Sequence, residues 1–169
     1  MITKNDLLDW LKEVDKKLER RIIVVAVGGT AMTLLGLKAS TRDVDFCLQE
    51  KEVALFKNLT NNSMFKVDLF WNGFIFSEQL PEDYIEKSNK IFAPLSNMDL
   101  RTLSLIDIII TKVARYNARD EEDIEAIAKT RLVNKRELEK RFEEVKETFV
   151  GNESDYEYHF NLVLKRHFT

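Results

Sequence analysis

The chain has 169 residues, 44% of them hydrophobic and 33% charged, and a formal net charge of −3. These are the proportions of an ordinary globular domain, or of a core with a short helical appendage, and they exclude a disordered chain. The acidic balance argues against a broad electrostatic footprint on nucleic acid but leaves room for a local basic face.

Leu7, Leu8, Leu11, Val14 and Leu18 recur at helical spacing among Lys and Glu, which predicts an amphipathic helix capped by Thr3. Ile22–Val27 is a continuous β-branched and small apolar run, the pattern of a strand buried on both faces. It ends at Gly28-Gly29-Thr30, followed by a short buried helix over Ala31–Leu35. Asp43–Leu48 alternates as a second strand, Glu50–Leu59 reads as a helix, and Phe65–Trp71 alternates as a third strand. Residues 72–100 carry turn signals at Asn72-Gly73, Pro81 and Pro94 and predict strand and loop, with a short helix from Glu82 to Lys90. Beyond them the pattern turns helical. Ser104 caps a helix through Ile106, Ile109, Ile110 and Val113, a second covers Glu121–Lys129, Asn134 caps a charged third, and a last follows Gly151. The expectation is an α/β core over residues 1–103 and a helical region over 104–169, as one domain or two.

Three groups of residues carry the chemistry. Two glycines at the end of a buried strand let the backbone turn sharply and approach a ligand closely, and a helix start offers free N–H groups to phosphate. Asp43 and Asp45 are two apart on a strand, so both carboxylates share one face and repel unless a cation sits between them. Asp68 is an acid in the apolar strand Phe65-Lys66-Val67-Asp68-Leu69-Phe70. If the two strands are neighbours, three carboxylates gather, the arrangement that holds two hard divalent ions for in-line phosphoryl chemistry. Lys112, Arg115 and Arg119, at helical spacing, offer a basic face if one helix continues that far. Asp120 and Asp123 read as structural partners or caps. Trp71 and Phe70 read as core more readily than as stacking platforms. His159, His167 and Cys47 have no ligand partners at metal-site spacing.

The set Val27-Gly28-Gly29-Thr30, Asp43-Val44-Asp45-Phe46 and Val67-Asp68-Leu69 resembles the signature of the DNA polymerase β superfamily of nucleotidyltransferases. A narrower similarity runs from Leu103-Ser104-Leu105 through Lys112 to Arg119-Asp120-Glu121-Glu122-Asp123, which looks like AbiEii-type toxins and minimal prokaryotic nucleotidyltransferases. The resemblance implies a mixed β-sheet flanked by helices and followed by a helical region. It implies a triphosphate on Gly28, Gly29 and Thr30, and Mg²⁺ or Mn²⁺ on Asp43, Asp45 and Asp68. Asp68 is then the carboxylate on the acceptor side, and Lys112 contacts phosphate or packs the site. The activity implied is transfer of a nucleoside monophosphate from a nucleotide triphosphate to a hydroxyl of RNA or protein, in a toxin–antitoxin setting with a cognate partner. The signature's usual Ser is Gly29 here.

Two other readings stand beside it: a catalytically silent nucleotide- or partner-binding module of the same fold, and a metal-dependent nuclease using the same acids. No apolar run approaches the roughly 20 residues of a bilayer span, the first residues lack a signal-peptide pattern, and Cys47 is the only cysteine. The expectation is a cytoplasmic chain without membrane contact.

Overall fold

A computed structural model describes residues 1–169. A short strand β1 (Ile2–Thr3) leads into helix α1 (Lys4–Lys17), whose start is held by a reciprocal capping box between Thr3 and Asp6. Leu7, Leu11 and Val14 turn inward from α1 onto strand β2 (Ile22–Ala26) and its neighbours. Helix α2 (Gly28–Leu34) follows at once, then β3 (Ser40–Thr41), which pairs with β1, and β4 (Val44–Leu48). Helix α3 (Glu50–Thr60) connects β4 to β5 (Val67–Trp71), and an Asn72-Gly73 turn, both residues at positive φ, starts the hairpin to β6 (Phe74–Ile75).

The chain then passes through β7 (Glu78–Gln79), the single-turn helix α4 (Tyr84–Lys87), β8 (Asn89–Lys90) and β9 (Met98–Thr102). The seven-stranded sheet has the order β7-β6-β5-β4-β2-β9-β8. Strand β2 runs antiparallel to β4 and parallel to β9, while β4 and β5 are parallel, so the sheet is mixed. This is the α/β architecture, a mixed sheet flanked by helices, that the resemblance implies.

Four helices complete the chain: α5 (Leu105–Arg115), α6 (Ala118–Lys129), α7 (Lys135–Val145) and α8 (Glu153–His167). Ser104, Asn117, Asn134 and Asn152 cap them through side-chain oxygens that accept the N3 backbone N–H. One cluster of 36 buried apolar residues runs from Ile2 in β1 to Val163 in α8, through both sheet and helices. Arg141 of α7 is drawn into it by a two-pronged bond to the buried Asp107 of α5, at 2.7 and 2.9 Å.

Two sequence expectations change. The short helix begins at Gly28 and not at Ala31, so both glycines form its first turn. The basic helix ends at Tyr116, which adopts a left-handed conformation (φ 44°), and α6 starts afresh from Asn117. Arg119 is therefore on a different helix from Lys112 and Arg115.

Candidate active site

The strand order places β5 beside β4 in parallel register, and that register puts Asp68 directly across from Asp45. Residues paired this way point to the same face, so the two carboxylates are neighbours on one side of the sheet. Asp43 lies just before β4, with its backbone carbonyl accepting hydroxyl bonds from Thr41 at 3.0 Å and Thr30 at 3.3 Å.

Burial pushes the Asp45 carboxyl up to about 6, with the negative charges of Asp68 and Asp43 adding to the rise and Arg115 and Lys66 opposing it. Three acids compete here for too little positive charge. Lys66 supplies part of it, 3.2 Å from Asp68.

Gly28 holds a positive φ of 53°, and a β-carbon built there would stand 3.4 Å from Asp45 Oδ2. At Gly29 a β-carbon would come within 2.8 Å of the Thr41 hydroxyl. A side chain at position 29 thus has no room unless Thr41, whose hydroxyl donates to the Asp43 carbonyl, moves aside. Thr30 is fully buried, and its hydroxyl accepts the Asp45 N–H at 2.9 Å. That bond and the one to the Asp43 carbonyl tie Thr30 to the acid strand and position Asp45.

A cleft of about 380 Å³ is lined by Gly29, Thr41, Asp43 and Asp45 on one side and by the α5–α6 corner on the other, while Asp68 lines a separate groove along the edge of β5. Lys112 reaches its floor almost completely buried, 2.7 Å from Asp123 and 3.5 Å from Asp120. Asp123 also takes Lys38 at 3.2 Å, and Asp120 takes Arg115 at 2.9 Å while closing the capping box on Asn117. The Arg115 guanidinium lies 4.2 Å above the Phe76 ring. Asp120 and Asp123 therefore hold the cations in place, as the sequence expects. Arg42 and Arg119 are exposed at the cleft mouth and form no ion pair. Sequence reading singled out neither Lys38 nor Arg42, because both lie in an irregular segment where charge periodicity carries no signal.

Residues 5–168 match the family model described as "Nucleotidyltransferase of unknown function (DUF6036)". The chain belongs to this family of nucleotidyltransferases. No curated protein matches it. Among solved structures it is similar to a candidate nucleotidyltransferase from Thermotoga maritima, with 13% identity and a TM-score of 0.45, over 62% of this chain and 81% of that one.

Asp43, Asp45 and Asp68 offer only carboxylate oxygen, the donor chemistry that suits a hard divalent cation. No three His, Cys, Asp or Glu side chains stand close enough together to hold one ion. Their charge suits such an ion, since a cation would relieve the repulsion that raises Asp45, but an ion shared by three of them would have to draw them closer together. Lys66 occupies part of that role on Asp68.

Proposed function

We propose that the protein transfers a nucleoside monophosphate from a nucleotide triphosphate to a hydroxyl acceptor on RNA or protein. The observation that carries the reading is the Asp45–Asp68 register pair, with Asp43 two residues before Asp45. Asp45 and Asp68, with Asp43 drawn in on binding, would hold Mg²⁺ or Mn²⁺, which when bound supplies charge neutralisation for phosphoryl transfer. Gly28 and Gly29 open the backbone to the triphosphate, and Arg42 and Arg119 offer the unpaired positive charge it needs. Lys112, bound on both sides by acids, sets the floor of the cleft. Asp68 takes the proton of the attacking hydroxyl.

The family supports transferase chemistry in general terms. The AbiEii-like spacing around Lys112 and Arg119–Asp123 supports a prokaryotic toxin–antitoxin setting as the finer proposal. Calorimetric titration of each of the four nucleotide triphosphates, with and without Mg²⁺, tests the site against wild type and Asp43→Asn. Metal-dependent binding that disappears in the variant is expected; failure of every triphosphate to bind the folded wild type would sink the proposal.

One observation favours a second reading, a nucleotide-binding module without turnover. Lys66 neutralises Asp68, the carboxylate needed to accept a proton. Nucleotide binding without pyrophosphate release in the presence of acceptors would establish that reading.

A further inference from the structure

Strand β5 is flanked by β4 along its whole length on one side, but on the other it meets β6 at a single pair, Trp71 with Phe74. The outer edge from Val67 to Phe70 has no strand beside it. Hydrogen bonds from Val44 N–H to the Lys66 carbonyl and from Asn72 N–H to the Leu48 carbonyl show that the even-numbered residues bond to β4. Backbone direction alternates along a strand, so the N–H and C=O groups of Val67 and Leu69 point away from β4. Neither residue forms a backbone bond outside the sheet.

A groove of about 470 Å³ follows this edge, running from Asp68 past Leu69 to Trp71 with Val53 and Lys57 of α3 as its wall. Trp71 and Phe74, nearly half exposed, stand at its far end.

On the reading that Asp68 is the acceptor-side acid, we infer that the acceptor is an extended peptide segment, added as a strand to the free edge of β5. A free row of alternating N–H and C=O groups is matched by another polypeptide backbone, whereas nucleic acid has no such row to offer. The register then fixes the chemistry. Asp45, Asp68 and the peptide residue opposite Asp68 lie side by side on one sheet face, one strand spacing apart. A Ser, Thr or Tyr at that peptide position brings its hydroxyl to Asp68. Its oxygen forms a bond to the α-phosphorus, the Pα–O–Pβ bond breaks, and pyrophosphate leaves with the bridging oxygen and its electron pair. The hydroxyl proton passes to Asp68. Alternate peptide side chains fall on the other face, against Leu69 and Trp71. Lys57 and Lys66, both exposed, select acidic neighbours in the peptide.

The test offers the intact protein two acceptors with each α-labelled nucleotide triphosphate and Mg²⁺. One is a set of ten-residue peptides alternating Val and Glu around a central Ser, Thr or Tyr; the other is a mixture of single-stranded oligoribonucleotides. The same peptides N-methylated at alternate backbone positions keep every side chain and lose the strand-pairing N–H groups. Label on the plain peptides that falls at least about tenfold on N-methylation, together with slowed amide exchange at Val67 and Leu69, is expected. Equal labelling of both peptide forms, or label on RNA alone, overturns strand addition and leaves nucleotidyl transfer intact. Pairing of β5 edges between two copies of the chain, read as a dimer with slowed exchange at Val67 and Leu69, likewise overturns it. Absence of triphosphate binding removes the underlying transferase reading and this inference together.

Discussion

The hydroxyl of Thr30 accepts the backbone N–H of Asp45 across 2.9 Å and donates to the carbonyl of Asp43, fastening the first turn of α2 to the strand that carries the acids. Thr30→Val keeps the shape and removes both bonds, leaving a backbone donor without a partner. A loss of about 1–3 kcal/mol is expected from urea denaturation, with nucleotide transfer falling as the acids lose their fixed position. Thr30→Ser retains the bonds and should stay close to wild type on both measures.

Gly29 and Thr41 are coupled by space. Gly29→Ala should cost about 1–3 kcal/mol, since its β-carbon meets the Thr41 hydroxyl. Pairing it with Thr41→Ala clears the clash, so a double-mutant cycle should give a favourable interaction energy of at least about 0.5 kcal/mol. Simple additivity of the two substitutions would show that Thr41 moves aside freely.

Asp45→Asn should lower nucleotide transfer by at least about 100-fold and, unusually for a site inside the sheet, raise thermal stability at neutral pH. The folded carboxyl titrates near 6, above the ordinary 3.8. Its contribution is therefore complete below about 3.8 and lost as pH rises through 6. Asparagine removes that loss. A lower melting temperature at pH 7 would place the carboxylate in a stabilising role.

Glu78 behaves in the same sense over a wider window. It is fully buried in β7, one carboxyl oxygen has no hydrogen-bond partner, and burial pushes it up to about 8. Stability should fall as pH rises from about 4.5 to 8, because the folded state keeps a proton that the unfolded chain releases. Urea midpoints at pH 5, 6, 7 and 8 should decline less steeply in Glu78→Gln.

Arg42 and Arg119 supply the unpaired positive charge of the cleft. Arg42→Ala and Arg119→Ala should each raise the KM for nucleotide about three- to tenfold with little change in melting temperature, the usual mark of an exposed residue without structural partners. Steady-state kinetics alongside a thermal melt separates the two effects.

Much of this was legible because short-range physics decides it. The buried run Ile22–Ala26, the alternation through Asp45 and Asp68, and the caps at Thr3 and Ser104 each announce their element locally. Strand β9 was hidden inside the broad strand-and-loop expectation for residues 72–100. Its Asp99 and Arg101 neutralise each other at 2.9 Å, so charges that read as surface sit within the sheet. Its start is ordered from afar: both Asp15 carboxylate oxygens on α1 accept the N–H groups of Ser96, Asn97 and Met98. In the site, the paired acids stand out by residue type and spacing. The packing of Thr41 against Gly29 does not, since only the folded β1–β3 pair brings that hydroxyl there.

The left-handed turn at Tyr116 makes the corner between α5 and α6 a matter of length more than of composition. Inserting one residue between Tyr116 and Asn117 would rotate α6 by about 100° about its axis. Arg119 would swing out of the cleft, and Asp123 would leave Lys112, stranding a buried ammonium. The exposed residues of this corner, Asn117 and Ala118 among them, can vary in evolution as far as their caps permit. Their number cannot, and relatives that keep the Lys112–Asp123 pair should keep the eleven-residue step between them while the letters in that corner drift.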